Sequence, residues 1–248
     1  LANAEPRDGY RRLHIALRRE GETVNHKRVY RLYRNEGLTV RKRSRNRRAP
    51  SPRRPLEQAT ASNQRWSLDF MNDTLANGRT FRVLCIVDNF TRESPAIEVD
   101  YSLPAGRVAR VLDRLAVTRG LPEVLVMDNG PEFRSHELDV WATQRGVRLH
   151  FTRPGKPMEN AFIESFNGKL RDECLNTHWF TNLADARKTI EEWRRRYNTV
   201  RPHSSLGNST PAEFALRASL RAVTGRCAER APTRSTELQP VHSAAEVS

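Results

Sequence analysis

The sequence predicts an α/β fold, a mixed sheet flanked by helices and preceded by a small helical unit. Three observations carry that prediction. Apolar runs of strand length cluster between residues 64 and 101 and return at 124–128 and 147–151. Segments of helical periodicity separate the later runs, the order expected of strands joined through crossover helices. Positive charge is concentrated ahead of the strands: of a net +14 over 248 residues, residues 1–58 hold +11, with 17 Lys/Arg against 6 Asp/Glu.

Residues 9–37 read as two helices. Tyr10, Leu13, Ile15 and Leu17 give the first an imperfect apolar stripe, and Gly21 breaks it. Asn25 can cap the second, in which Val29, Leu32 and Tyr33 recur at helical spacing, and Gly37 ends it. Its other face carries His26, Lys27, Arg28, Arg31 and Arg34. Two helices joined by a short glycine-containing turn, the second basic, have the outline of a helix-turn-helix DNA reader. A helical hairpin with a solvated charged face fits the same pattern. Residues 41–55 add Arg41, Lys42, Arg43, Arg45, Arg47, Arg48, Arg53 and Arg54 among three prolines, with no acid. Self-repulsion and proline oppose packing there, so the stretch reads as an arm able to neutralise phosphates without reading bases.

From Gln64 the period changes to two. Trp66, Leu68 and Phe70 face one way, and Ser67, Asp69 and Met71 the other. Asn77-Gly78 marks a hairpin turn, followed by a more buried strand at 81–87 and a shorter one at 95–101. Val108, Val111, Leu112 and Leu115 stripe a helix that ends at Gly120. Then come a strand at 124–128, a helix at 135–145, a strand at 147–151 and a helix bearing Glu164. Leu183, Ala186, Ile190, Trp193 and Tyr197 stripe a further helix. Thr210-Pro211-Ala212-Glu213 is a capping box that opens another. Beyond about Leu220 periodicity is lost. The predicted organisation is therefore a helical unit at 1–40, a basic linker at 41–62, a core with C-terminal helices at 63–217 and a disordered tail at 218–248.

The basic balance favours a polyanionic partner, most plausibly nucleic acid. Cys85, Cys174 and Cys227 form no Cys-x-x-Cys pair, so no zinc finger is expected, and Cys85 reads as a core filler. No apolar run approaches a membrane span and no signal peptide opens the chain, so a cytoplasmic location is expected. The chain begins at Leu1 rather than Met, as a fragment, an alternative start or part of a fusion would.

Three acids stand in telling places. Asp69 lies inside a strand, where Asp is depleted. Asp128 ends the apolar run Val124-Leu-Val-Met at an Asn-Gly turn, and Glu164 lies on a helix beyond it, with 35 residues between the two. Carboxylates from a mid-strand, a strand end and a helix could converge on hard divalent cations, which take oxygen ligands. Glu164, Gly168 and Arg171 share a helical face, so a cation would accompany the glutamate, as suits a phosphate backbone. Each acid alone has a plainer role as a turn, cap or solvated residue, and Asp88, Glu132 and Glu159 are rivals.

Taken together, Trp66-Ser-Leu-Asp69-Phe, Asp128-Asn-Gly-Pro-Glu-Phe133 and Gly155-Lys-Pro-Met-Glu-Asn-Ala-Phe-Ile-Glu164-Ser-Phe-Asn-Gly-Lys-Leu-Arg171 resemble the transposases of bacterial insertion sequences with a retroviral-integrase-type core. The group resembled is the one whose enzyme is made by fusing two overlapping reading frames. Tyr197-Asn-Thr-Val-Arg-Pro-His203 and Thr210-Pro-Ala-Glu-Phe214 extend the resemblance, which runs from about Tyr10 to Leu216. It implies an RNase H-like five-stranded sheet and a pair of Mg²⁺ or Mn²⁺ ions held by Asp69, Asp128 and Glu164. It implies nicking at the element's ends by water, then joining of the freed 3′-hydroxyl to another strand. Double-stranded DNA, a homo-oligomer on that DNA and a first-frame partner or fusion are the implied partners, in the bacterial cytoplasm at the nucleoid. Lys156, Lys169 and Arg171 join Lys27, Arg28, Arg31, Arg41, Lys42, Arg43, Arg45, Arg47 and Arg48 as candidate DNA contacts. A nuclease without joining activity, or a catalytically idle DNA-binding regulator, would use the same parts.

Overall fold

The structure, a computed structural model, describes residues 7–38, 58–152 and 160–229, with side chains as far as Arg221. Two helices open it, α1 at Tyr10–Arg19 and α2 at His26–Asn35. The predicted breaks are where they should be. Gly21 and Gly37 adopt φ of 93° and 66°, which side-chain-bearing residues resist, and the Asn25 side chain accepts the Lys27 N–H. Leu13, Val29 and Tyr33 close a small core between the helices. Leu32 was expected in the apolar stripe but is half exposed, because a two-helix contact is too narrow to bury three positions per turn.

The sheet has five strands: β1 Arg65–Thr74, β2 Thr80–Asp88, β3 Ile97–Asp100, β4 Val124–Met127 and β5 Arg148–Phe151. Their spatial order is β3-β2-β1-β4-β5. β1, β2 and β3 pair antiparallel, whereas β4 is parallel to both β1 and β5. The mixed sheet follows from the connections. A tight turn at Asn77-Gly78, with Gly78 at φ 81°, can only reverse the chain, whereas α3 (Ala105–Arg119) and α4 (His136–Arg145) carry it back to start in the same direction.

Each face of the sheet has its own core. Trp66, Leu68, Leu84, Ile86, Leu125 and Met127 pack against α3 and α4. On the other face Met71, Phe81, Val83, Cys85 and Val87 pack against α5 (Ala161–Glu173) and α6 (Leu183–Thr199). The period-two reading of β1 therefore assigns its faces correctly, and Cys85 is fully buried filler. Ala186, Ile190, Trp193 and Tyr197 of α6 are buried as their spacing predicts.

The last helix, α7, opens on the expected capping box. Glu213 N–H donates to Thr210 Oγ1 at 3.2 Å, and Thr210 N–H donates to Glu213 Oε2 at 2.9 Å. It runs to Glu229, beyond the Leu220 at which structure was expected to end. The residues past Leu220 lack an apolar stripe but are rich in Ala and Arg, strong helix formers that extend a helix once its first turn is capped. Among the described residues no helix is long and apolar enough to cross a membrane.

Candidate active site

Strand direction sets where the acids meet. Ser67 pairs with Val126 in the parallel β1–β4 ladder. Two residues further on, in the same register, come Asp69 and Asp128, side by side at the end of the sheet where β4 stops. Side chains alternate, so both project from the face that carries Met71 and Cys85, the face covered by α5. Glu164 stands in the first turn of α5. The three acids thus approach one another from a strand interior, a strand end and a covering helix.

The electrostatics of Asp69 register that approach. Its carboxyl is pushed up to about 6, first by burial and then by the negative charges of Asp128 and Glu164. Two hydrogen bonds oppose the shift. Phe70 N–H donates to Oδ1 at 2.9 Å, and the Asn167 amide donates to Oδ2 at 2.7 Å. Asn167 is buried three residues after Glu164, so one turn of α5 offers an acid to the cleft and an amide to Asp69. Sequence reasoning missed Asn167. The one signal was its position at i+3 from the glutamate.

The turn after β4 is built to present Asp128. Gly130 N–H donates to Asp128 Oδ1 at 3.0 Å, and a Cβ at position 130 would lie 3.0 Å from that same oxygen. Asn129 ties the turn to β5 by donating to the Thr152 carbonyl at 2.7 Å. Phe133 is fully buried and stacks on Phe70 with ring centroids 4.8 Å apart. Glu132 pairs with Arg82, whose guanidinium lies over the Phe70 ring. The hexapeptide from Asp128 to Phe133 is therefore anchored by its last two residues, and its first is exposed at the rim.

Two of the three rival acids are spoken for. Asp88 ends an antiparallel strand, so it emerges opposite Trp66 at the far end of the sheet. Glu132 is paired as above, and Glu159 lies outside the described residues.

Hard, anionic oxygen donors are the set a divalent cation requires, and three carboxylates repelling one another in a half-buried cleft are relieved by one. Among the described residues no three acidic, histidine or cysteine side chains stand close enough to hold an ion as they are. Asp69 and Asp128 each accept a backbone N–H, and Glu164 is exposed.

The candidate DNA contacts divide into three groups. Lys27, Arg28 and Arg31 are exposed on α2. Arg171, two turns beyond Glu164, donates to the Asn72 carbonyl at 3.3 Å, near the end of β1 that carries Asp69. Lys169 is half-buried on the flank of α5. Arg41, Lys42, Arg43, Arg45, Arg47, Arg48 and Lys156 lie outside the described residues.

Comparison with known proteins agrees with this architecture. Residues 59–157 and 145–211 match models of an integrase core domain, and residues 2–48 match an HTH-like domain. Over 217 residues the chain is 51% identical to the uncharacterized 31.7 kDa protein of insertion element IS407 from Burkholderia multivorans, spanning 88% of this chain and 78% of that one. It is 28% identical over 224 residues to transposase InsD of insertion element IS2D from Escherichia coli K12, spanning 84% and 73%. Its fold is similar to the HTLV-2 integrase catalytic core domain solved in complex with magnesium, with a TM-score of 0.53 at 16% identity over 63% of this chain and 98% of that one.

Proposed function

The chain belongs to the insertion-sequence transposases that carry an integrase core, and from that premise we propose that Asp69, Asp128 and Glu164 are its catalytic carboxylates, acting with two divalent cations, Mg²⁺ or Mn²⁺. The observation that carries this reading is the parallel β1–β4 register that carries Asp69 and Asp128 to one end of the sheet beneath the first turn of α5, which bears Glu164; the carboxyl of Asp69, raised first by burial and then by the charges of both other acids, accords with it. The reaction is in-line displacement at phosphorus. Water breaks the strand at the element's end and frees a 3′-hydroxyl, which then attacks a phosphodiester of the target and displaces its leaving oxygen. No bond to the protein forms in either step. Bound cations would supply charge neutralisation at the phosphate and a more acidic water or hydroxyl.

The protein's part is placement. Asn167 and the Phe70 N–H hold the two oxygens of Asp69, which fixes the carboxylate plane and favours its ionised form. Gly130 leaves Asp128 room to turn. Arg171 stands beside β1 as a fixed positive charge for the strand entering the cleft. The exposed basic face of α2 and the arm at 41–54 hold duplex DNA by its phosphates. The enzyme works as a homo-oligomer on DNA, with a first-frame partner or fusion, at the bacterial nucleoid.

The test is an oligonucleotide ending in the element's terminal repeat, incubated with target DNA and Mg²⁺. Joined product is expected. Cleavage without joining would assign the chain to nucleases, and binding alone to regulators. Binding of Mn²⁺, followed by its paramagnetic resonance, is expected to weaken strongly in Asp69→Asn, and retention of full affinity would remove Asp69 from the site.

A further inference from the structure

We infer that Arg92, Lys169 and Arg201, gathered around His203 on the flank of α5, form a seat for one backbone phosphate of bound DNA. The inference rests on the reading of the chain as a DNA-processing enzyme and gives a role to the Tyr197–His203 motif, which the carboxylate site leaves unused.

The cations here outnumber their acids. Lys169 Nζ donates to Ser165 Oγ at 3.1 Å, and among the described residues no carboxylate lies within ion-pair reach of it. Arg92 lies 3.5 Å over the Phe162 ring and donates to the Asn89 carbonyl, also without an acidic partner among the described residues. Arg201 pairs with Glu173 at 2.6 Å, and Arg12 divides between Asp8 at 2.7 Å and Glu173 at 3.2 Å, so two acids face four cations. His203 is 5% exposed, and its Nε2 has no hydrogen-bond partner among the described residues. Burial and the surrounding cations hold its imidazole down at about 3, so it is neutral and can offer an N–H. Burial likewise lowers Lys169 to about 8, as expected of a cation short of counter-charge.

The motif builds this arrangement. Asn198 receives the Ser94 N–H at 2.9 Å and returns its amide to the Ser94 carbonyl at 2.9 Å, pinning the turn that carries Arg92. The Tyr197 ring meets His203 edge-on at 4.7 Å. Lys169 lies five residues past Glu164, about 7 Å along the helix axis and about 140° around it, on the face shared with Phe162 and Glu173, so the seat lies on the flank of α5 rather than in line with Glu164.

The full chain, with divalent metal chelated, is titrated with duplex DNA at several KCl concentrations, alongside Lys169→Gln and Arg92→Gln. Each lost phosphate contact removes about 0.9 from the slope of log K against log salt. Both variants are expected to lose part of that, up to the full value of about 0.9, with Tm near wild type. Slopes equal to wild type in both variants overturn the seat, and a lowered Tm with an unchanged slope identifies structural cations instead. Inorganic phosphate separates the anion sources. If it raises the wild-type Tm but not that of Lys169→Gln, while duplex slopes are unchanged, a free anion is the ligand and the DNA assignment fails. Strand joining is scored separately. Lowered slopes without joining keep the seat and sink the proposed chemistry, and joining with unchanged slopes does the reverse.

Discussion

Two aspartates end strands at opposite ends of this sheet, and they have opposite fates. Asp88 is fully buried and saturated. It accepts the N–H groups of Asn63, Phe90 and Thr91 at 2.9–3.0 Å and faces Arg119 at 3.5 Å. Asp128 is exposed, takes one backbone N–H, pairs with no cation among the described residues and adds its negative charge to the surroundings of Asp69. The first carboxylate holds a turn together. The second adds to a charge that the protein alone leaves unbalanced. A carboxylate supplied with donors stabilises the fold, and one set among its own kind is available to a ligand.

The contrast can be broken from either side. The largest effect is expected for Asp128→Asn, which should cut cleavage and joining by more than about 10³-fold while leaving Tm and DNA binding near wild type. Substantial residual activity, measured in the oligonucleotide assay, would remove Asp128 from the chemistry. Asp88→Ala should do the converse, costing about 3–5 kcal/mol in urea unfolding because Arg119 and three amides lose their acceptor. A change below about 1 kcal/mol would mean that these bonds contribute little.

The third prediction concerns pH. The Asp69 carboxyl titrates at about 6 in the fold against an ordinary value of 3.8. Between those values the folded protein keeps a proton that the unfolded chain has lost. Stability from this group is therefore full below 3.8, falls as pH rises, and is lost above about 6. Asp69→Asn removes the deficit, so the metal-free variant should be more stable at pH 7, by up to about 3 kcal/mol, though inactive. Its advantage should vanish on acidification below pH 4. An advantage independent of pH would show that burial, not ionisation, is responsible. The smallest effect is expected for Asn167→Ala. Loss of the 2.7 Å hydrogen bond should raise the Asp69 carboxyl further and weaken Mn²⁺ binding by about tenfold. Rescue by Asn167→Gln would indicate that the amide acts by donating its hydrogen bond, whereas unchanged affinity in Asn167→Ala would dismiss it.

Much of this was legible along the chain because strand and helix periods are local. Alternation in 66–71 assigns Asp69 to the face opposite Trp66, and the run Val124–Met127 delivers Asp128 to a turn. Asp88 could not be separated from Asp128 in this way. Both follow apolar runs, and only pairing direction shows that one leaves the sheet at the end where the other strand begins. Asn167 and the cation cluster were equally hidden. Arg12, Arg92, Lys169 and Arg201 come from α1, the β2–β3 turn, α5 and the end of α6, and no spacing announces their meeting. Leu32 and the length of α7 show the reverse error, since amphipathic period and compositional blandness are only proxies for packing.

By itself the sequence determined which segments are strands and helices, where caps and glycines end them, and which three acids stand at telling positions, because these depend on neighbours within a few residues. Tertiary structure alone decided which acids face one another, which are consumed by hydrogen bonds and which cations lack partners. Those outcomes depend on strand direction and on contacts between elements far apart along the chain, where Coulomb and desolvation energies are set by distance in space rather than by order in the polymer.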